Sequence, residues 1–372
     1  MSRTFNDGAA DGLIPLVSLH PDSIGDSDEL LQAMSKTAFG GRNLGEAAEV
    51  LTEMIADPEC SVILTLSGAM TVAKMGLLVT HMIEKGWVQA VVSTGALMTH
   101  GLIELAGMQH YKAEPGADDV SLFEKGYNRV YDTYEMEKNL NDLERHLNKI
   151  LGRFCQQPAP RDASGGPLAF GSHHLCSELG RQLDKHGVSG IVVAAHRAGV
   201  PIFIPAFTDS ELGLNVATWL MESQLGESPN RERAKECLAH LKSPFDPFLD
   251  LGHYTRLVHA SPRLGIFTIG GGVPRNWAQQ APPFIDIYSR ALGLPEGPAK
   301  RFRYGVRVCP DPAHIGGLSG CSYSEGVSWG KFVPPSEGGR FAEVRTDATI
   351  VWPLLVKGVS ERLSKREIHE PS

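Results

Sequence analysis

Residues 61–69 read Ser-Val-Ile-Leu-Thr-Leu-Ser-Gly-Ala, and this stretch decides the fold class. Its first six residues form a short apolar run rich in β-branched side chains, which predicts a strand. Ser67 and Gly68 interrupt the run, and a helix-length apolar segment follows to about Ile83. The predicted order is therefore strand, tight loop and helix.

The same unit recurs along the chain. Val88 to Ser93 forms a second apolar run, and residues 94–96 form the turn before another helical stretch. Further short apolar runs lie at 191–195, 202–205 and 265–269, with helical spacing around 175–183, 231–241 and 248–258. Strands that alternate with helices predict an α/β fold with a doubly wound, largely parallel sheet and helices on both faces.

The rest of the chain predicts one domain with short extensions. Residues 1–27 are rich in Gly, Asp and Ser and are expected to form a flexible arm. Residues 28–363 are expected to form a single catalytic domain that opens with a helical extension, two helices on either side of a Gly40–Gly41 turn. Residues 364–372 are expected to be a polar, frayed tail.

Three other segments have recognisable patterns. The last helix is predicted to begin at an N-cap, Asp347, and to continue to about Leu363. Residues 107–128 and 156–171 lack clean periodicity and are predicted to be insertions.

Composition excludes several classes of function. The 372 residues carry a formal charge of −8 and give a pI near 6.0, so the chain lacks the basic surface that nucleic-acid binding requires. No run approaches the roughly 18 apolar residues of a membrane span, and the first thirty residues lack a signal-peptide core. The six cysteines have no paired Cys-x-x-Cys spacing, which predicts reduced thiols. We therefore expect a cytoplasmic protein without nucleic-acid or membrane partners.

Four small-residue turns are predicted at the carboxyl ends of strands, where open α/β sheets bind ligands. They lie at 67–69, 94–96, 208–209 and 270–272. Glycine lets the backbone approach a ligand, and the helix expected after Gly68 would direct N–H groups at a phosphate. Together the turns predict a nucleotide pocket, although each alone is more simply explained as a tight turn, and no G-x-G-x-x-G motif follows a strand.

The histidines give no metal motif. His173 and His174 are adjacent, and His100, His110 and His196 lie near predicted strand ends. Because these spacings do not match a zinc motif, we expect capping or solvated roles and no metal site.

The segment from Glu325 to Lys331 reads Glu-Gly-Val-Ser-Trp-Gly-Lys. A lysine beside glycine and tryptophan, with a carboxylate six residues upstream, is a candidate Schiff-base nucleophile because desolvation keeps its amine neutral. The alternative is an ordinary surface lysine at the end of a loop.

Several segments together resemble the deoxyhypusine synthase family. They are the run Ser328–Lys331, the triple glycine followed by Val273, the segment Ile204–Asp209, the closing Asp347, Ala348 and Pro353–Leu355, and the N-terminal Thr37, Phe39, Asn43, Gly45 and Ala47. The resemblance runs in order from about residue 28 to residue 363. It implies a Rossmann-like fold, NAD as cofactor and a homotetramer whose active sites lie between paired subunits.

The resemblance also implies a reaction. Spermidine is oxidised with NAD, and its aminobutyl group passes through an imine on a catalytic lysine to a lysine of a translation factor, or in some relatives to putrescine. Lys331 matches that catalytic lysine, and Glu325 matches a carboxylate that binds a cationic amine or moves a proton. The positions that match NAD contacts are Ser67, Gly68, Ala69, Met70, Thr71, Val72, Thr94, Gly95, Ala96, Asp209, Gly271, Asp347 and Ala348.

The chain departs from the family where the amine is expected to bind. Thr99 and His100 stand in place of acidic residues, Leu214 replaces an aspartate, Asn276 replaces a histidine, and an aspartate-bearing loop has become Gly316, Gly317, Leu318 and Ser319. The candidate substrate-binding residues are therefore His100, Asn276, Ser319 and Trp329. Each lost carboxylate removes a contact worth about 1.5–3 kcal/mol to an ammonium group.

These observations support three hypotheses. The first is an NAD-dependent aminoalkyl transferase that uses a Lys331 imine but has an altered amine pocket. The second is authentic deoxyhypusine synthesis, or homospermidine synthesis, with replacement contacts. The third is a catalytically silent NAD-binding regulatory protein, against which the retention of both Lys331 and Glu325 argues.

Overall fold

The computed structural model of the chain describes residues 5, 7–140, 147, 148, 151, 169–226, 229–295 and 297–369, so the insertion predicted at 156–171 lies almost wholly outside the described residues. The described helices are α1 (Ser27–Ser35), α2 (Phe39–Ala56), α3 (Gly76–Glu84), α4 (Gly95–Leu105), α5 (Asp119–Glu124), α6 (Ser172–Asp184), α7 (Ile191–Ala198), α8 (Glu211–Leu225), α9 (Arg231–Ala239), α10 (Pro247–Ala260), α11 (Gly272–Gln279), α12 (Ala281–Ala291), α13 (Tyr323–Ser328) and α14 (Ala348–His369). The strands are β1 (Cys60–Leu66), β2 (Ala90–Ser93), β3 (Tyr111–Lys112), β4 (Tyr127–Val130), β5 (Thr133–Met136), β6 (Ile202–Phe203), β7 (Arg263–Ile269), β8 (Phe302–Val308) and β9 (Arg340–Val344).

The main sheet has six parallel strands in the order β6-β2-β1-β7-β8-β9. This arrangement confirms the predicted doubly wound parallel fold. Strands β2 and β6 lie successively on one side of β1. Strands β7, β8 and β9 lie successively on its other side. The strand order therefore reverses between β1 and β7, and such a switch point leaves a crevice at the carboxyl ends of the two strands.

Both faces of the sheet are covered by apolar side chains. In β1, Leu64 faces the larger core, whereas Ile63 faces a second core that includes Tyr254 of α10 and Ala278 of α11. Alternating side chains of a strand point to opposite faces, so a strand buried on both sides reads as a continuous apolar run. The second core also contains Phe332, which follows the candidate lysine directly in sequence.

A second, smaller sheet is formed where an insertion was predicted. Strands β3, β5 and β4 pair in that order, antiparallel, and α5 precedes β4. The segment predicted as an insertion at 107–128 thus contributes to a small sheet of its own, whose strands the sequence did not predict. These strands are two to four residues long and partly exposed, which is too short for a clear two-residue alternation.

Three predictions of local structure were wrong. The run at 191–195 lies in helix α7, because a short buried apolar segment has the same composition in either state. Gly40 and Gly41 lie inside α2; the first helix ends earlier, where the Thr37 hydroxyl donates to the Met34 carbonyl. The helix expected after Gly68 begins only at Gly76, since turns occupy the intervening residues.

The last helix is longer than predicted. Asp347 caps it as expected, since its Oδ1 accepts from the Thr349 amide at 2.7 Å. The helix then continues past Leu363 to His369, so the frayed tail predicted from residue 364 was wrong at its start. Its extra turn is held by Lys365, whose ammonium lies 2.8 Å from Asp26. None of the described helices has the length and apolarity needed to cross a bilayer.

The contact between α1 and α14 includes a buried carboxylate. Asp28 is 1% exposed, and its carboxylate accepts from Arg362 Nε at 2.6 Å and Lys365 Nζ at 3.1 Å. Burial alone would raise the pKa of Asp28, but the hydrogen bonds from Gln32, Arg362 and Lys365 lower it overall. The carboxylate is thus charged in the folded protein and stabilises the N-terminal helix against the last one.

We expect Asp28→Asn to lower the free energy of unfolding by on the order of 3 kcal/mol at pH 7, because it leaves buried donors without a charged acceptor. Because the pKa of Asp28 is lower in the folded state than in the unfolded state, its carboxylate stabilises the fold at pH values above the unfolded pKa. This stabilisation is lost as the pH falls through the folded pKa. The difference between wild type and variant should therefore shrink below about pH 4. Denaturant titrations at pH 7 and pH 3 measure it, with the exposed Asp286→Asn as control. An equal difference at both pH values would contradict the assignment.

Candidate active site

Lys331 is held by backbone contacts at the edge of the second core. Its carbonyl accepts from the Phe302 amide at 2.9 Å, and its own amide donates to the Gly326 carbonyl at 3.1 Å. Gly330 has φ +70°, a left-handed conformation that glycine adopts without strain and that ends helix α13. These contacts fix the backbone from which the lysine side chain extends.

The lysine side chain is 8% exposed, and its Nζ donates to Asn276 Oδ1 at 3.2 Å. Burial lowers the pKa of Lys331, and the nearby Arg275 guanidinium lowers it further, while Cys321 and Glu325 oppose the shift. A lowered pKa increases the neutral, nucleophilic fraction of the amine at neutral pH. The surface-lysine interpretation is therefore not what the structure shows.

Lys331 lies at a cavity with a volume of about 530 Å³. Residues from three segments line it, and those used below are Arg275, Asn276, Leu318, Glu325, Trp329 and Lys331. Glu325 belongs to α13, where the Ser322 hydroxyl caps its amide at 3.2 Å, and Trp329 is 66% exposed. The cavity thus combines a desolvated amine, one amide, one carboxylate and an aromatic wall.

We expect Lys331 to react with amine-directed reagents at lower pH than an exposed lysine does, because its pKa is lowered. Trace labelling with acetic anhydride across a pH series, followed by mass spectrometry of each lysine peptide, measures this. Lys235, which lies exposed on α9, is the internal reference. Labelling of both lysines with the same midpoint would contradict the predicted shift.

A second cavity, of about 380 Å³, lies at the switch point between β1 and β7. Its floor is fixed by Ser67, whose Oγ accepts from the Gly271 amide at 2.8 Å. Gly270 has φ +81°, and a Cβ on Gly271 would lie 2.7 Å from Ser319 Cβ. Glycine is therefore required here by conformation and by close approach.

This crevice has features that suit a phosphate and a ribose. It joins a strand, a glycine turn and the N-terminus of a helix, α11, whose first amide groups have no partner within the helix and favour a phosphate. Asp311 and Asp347 line it and offer carboxylates to ribose hydroxyls. The phosphate-directed helix that the sequence placed after Gly68 is thus supplied instead by α11.

Comparison with known proteins agrees with this geometry. The family model described as deoxyhypusine synthase matches residues 29–359. The chain belongs to the deoxyhypusine synthase family. It is 33% identical over 336 residues to "Probable deoxyhypusine synthase 2" of Methanosarcina acetivorans, covering 90% of this chain and 86% of that protein. It is 32% identical over 329 residues to "Deoxyhypusine synthase-like protein" of Chlorobaculum parvum, covering 88% and 84%.

A crystal structure from Entamoeba histolytica that carries the same family name supports the fold alone. It matches with a TM-score of 0.54 at 14% identity, covering 92% of this chain and 96% of that chain. At that identity the likeness extends to the arrangement of strands and helices and not to individual side chains.

The structure divides the predicted NAD contacts of the deoxyhypusine synthase family into three groups. Those that line the switch-point crevice are Ser67, Gly68, Met70, Gly271, Asp347 and Ala348. Thr94–Ala96 and Asp209 follow β2 and β6 at the same edge of the sheet, and a Cβ on Gly95 would lie 2.1 Å from Ser210 Oγ. Ala69 is exposed, whereas Thr71 and Val72 are buried, and the Thr71 hydroxyl donates to the Leu97 carbonyl at 2.7 Å.

The predicted substrate residues are also divided. Asn276 and Trp329 line the Lys331 cavity. Ser319 instead lines the switch-point crevice, where its hydroxyl contacts Asp311, and its neighbour Leu318 lines the lysine cavity. One short segment therefore borders both cavities.

His100 is not among the residues that line the lysine cavity in the described part of the chain. Its ring contacts the buried Glu135, which also contacts His110. Burial opposes ionisation of Glu135, but the two histidines lower its pKa to about 2. Within one chain, the structure therefore gives no support to His100 as an amine-binding residue beside Lys331.

Sequence reasoning missed Arg275. Its side chain is 2% exposed, its Nη1 donates to the Cys321 carbonyl at 2.7 Å, and its guanidinium lies 5.4 Å from the Tyr323 ring centre. Because it immediately precedes Asn276, the sequence could have indicated that it lies near the candidate site. Nothing in the sequence pattern indicated that its side chain is buried there. Its positive charge opposes that of Glu325 in the lining of the same cavity.

Proposed function

We propose that this chain is an NAD-dependent aminoalkyl transferase that carries its substrate on Lys331 as an imine. The observation that carries the proposal is the buried Lys331 amine, held 3.2 Å from Asn276 in a cavity that shares a bordering segment with the switch-point crevice. NAD, when bound, would accept hydride from the substrate amine and return it to the product imine. The crevice residues named above would hold it.

The chain's own residues account for the transfer steps. The neutral form of Lys331 attacks the carbon of the substrate imine and forms a new carbon–nitrogen bond. The bond between that carbon and the nitrogen of the departing amine then breaks, and the amine leaves with a proton. The acceptor amine then attacks the Lys331 imine and releases the free lysine. In this proposal Asn276 orients the lysine amine, and Glu325 takes the proton that the acceptor's ammonium group loses before it attacks; the Lys331–Asn276 hydrogen bond and the position of Glu325 in the cavity lining support these roles.

We further propose that the amine differs from spermidine at the donor, the acceptor or both. Among the described residues that line the lysine cavity, Glu325 is the only carboxylate, and Arg275 adds a positive charge. A multiply charged polyamine would therefore be attracted by the Glu325 carboxylate and repelled by the Arg275 guanidinium. The alternatives remain authentic deoxyhypusine or homospermidine synthesis, and a silent NAD-binding protein.

Other expectations rest on family membership. We propose that residues 28–363 act as one catalytic domain, and that the protein is a cytoplasmic homotetramer with active sites between subunits. A protein lysine is one candidate acceptor, and a small amine is another. Light scattering on the full chain measures the oligomeric state, and a monomer at micromolar concentration would contradict the tetramer.

The decisive experiment offers NAD together with spermidine, putrescine or agmatine, followed by borohydride. We expect NADH to form and mass to be added at Lys331. At least one amine other than spermidine should give a stronger adduct than spermidine does. An adduct from spermidine as strong as from any other amine would contradict the altered donor. No NADH and no adduct with any amine would favour the silent protein.

We expect Gly271→Ala to weaken NAD binding at least about 10-fold, because the new Cβ would displace Ser319 and the segment beside it. Isothermal titration with NAD measures the change. Gly252→Ala is the matched control, since a Cβ there meets nothing within 4 Å and alanine favours helix α10. Unchanged NAD affinity in the Gly271 variant would place the cofactor elsewhere.

A further inference from the structure

The small antiparallel sheet and α4 together enclose a cluster of potential metal ligands. His100 lies on α4, His110 directly precedes β3, and Glu135 lies on β5. One ligand atom from each lies within 4.8 Å of the others. The side chains of His100, His110 and Glu135 are 15%, 1% and 2% exposed, so the cluster is buried.

Three atoms of this cluster are left without hydrogen bonds. His100 Nδ1 lies 2.8 Å from one Glu135 oxygen and His110 Nε2 lies 3.4 Å from the other, but neither contact has the alignment of a hydrogen bond. Glu135 Oε1 also has no hydrogen-bond partner. The two histidines and Glu135 therefore meet as ion pairs whose buried polar atoms lack well-formed hydrogen bonds. Such burial is costly, and an ion bound between the three side chains would satisfy these atoms.

We propose that His100, His110 and Glu135 bind a divalent first-row transition metal ion, of which Zn²⁺ is the representative. Two imidazoles and one carboxylate are the ligands that zinc takes at sites with three protein ligands and a water molecule. Ligands at about 2.1 Å from one ion lie roughly 3–4 Å apart. The observed separations therefore need only a small adjustment of the side chains.

Lys74 controls whether His110 can coordinate the ion. Its ammonium lies 3.0 Å from His110 Nδ1 and also contacts Glu104. A donor at Nδ1 requires the ring proton on Nε2, which is the nitrogen that must bind the metal. Because Lys74 is about half exposed and already paired with Glu104, it can turn away from the ring when the ion binds.

The ion would connect the antiparallel sheet to the helix that follows the Thr94 turn. Glu135 and His110 belong to the sheet region, and His100 lies one and a half turns into α4. Metal binding would therefore order the small sheet against the main domain. This proposal does not depend on the lysine chemistry, and failure of either one leaves the other standing.

The test uses the full chain, stripped with a chelator, dialysed, and titrated calorimetrically with Zn²⁺ and then with Co²⁺. We expect one equivalent of Zn²⁺ to bind, Co²⁺ to give visible absorption of a low-coordinate nitrogen and oxygen site, and the melting temperature to rise on metal addition. Glu135→Gln, which keeps the shape but not the charge, should weaken binding at least 10-fold. Lys74→Met should tighten it, since it removes both the donor at Nδ1 and a repelling charge.

The controls distinguish this site from adventitious binding. His240→Ala changes an exposed histidine elsewhere and should leave Zn²⁺ affinity unchanged. Circular dichroism of the stripped variants shows whether Glu135→Gln retains the fold. Equal Zn²⁺ affinity in wild type and Glu135→Gln, or no binding by the folded wild type, would overturn the proposal in favour of a metal-free His–Glu–His contact.

Discussion

Lys331→Ala is expected to abolish the borohydride-trapped adduct and to lower the transfer rate at least about 10³-fold, the scale seen when a covalent nucleophile is removed. The loss is large because no other described side chain combines an amine with the cavity at Asn276. Water or a free amine would have to replace a positioned nucleophile whose pKa burial lowers. Intact-protein and peptide mass spectrometry measure the adduct.

The same variant should keep its affinity for NAD, because Lys331 does not line the switch-point crevice. The exposed Lys235→Ala should keep both the adduct and the NAD affinity. An adduct that persists in Lys331→Ala would mean that another lysine carries the substrate. Loss of NAD binding would mean that the variant is misfolded or that the two cavities are not separate.

Leu318→Asp is expected to raise kcat/KM for spermidine by roughly 10–150-fold. Leu318 lines the lysine cavity in a segment where the family has an aspartate, and it is 48% exposed, so a carboxylate there meets little desolvation cost. A charge-assisted hydrogen bond to a substrate ammonium contributes about 1.5–3 kcal/mol, which gives that range of rate. The gain should be smaller for amines that carry fewer positive charges.

Steady-state NADH formation with spermidine and putrescine measures this change in preference. Leu238→Asp, at a 58% exposed position on α9, controls for the added charge. If Leu318→Asp does not alter spermidine use, the residues at 316–319 do not determine the amine. The proposed change of amine would then depend on Asn276, or on residues of a neighbouring subunit.

Much of the fold was readable because the central strands are buried on both faces. A strand such as β1 must then be a continuous apolar run, and the small residues after it mark the ligand-binding edge. Prediction from the sequence failed for segments that are not strands buried on both faces. Residues 191–195 are equally apolar but form a helix, and the short strands of the second sheet are too exposed and too brief to show alternation.

By itself the sequence determined the parallel α/β fold and the family, and it singled out Lys331 as the candidate nucleophile, since these depend on local patterns and on motif order. Only the tertiary structure decided which residues meet across the chain. In the structure Lys331 donates a hydrogen bond to Asn276, and Arg275 is buried next to Asn276 in sequence. His100 instead lies in a cluster with His110 and Glu135. Contacts between residues 25 to 55 positions apart depend on the packing of whole elements, which no local spacing encodes.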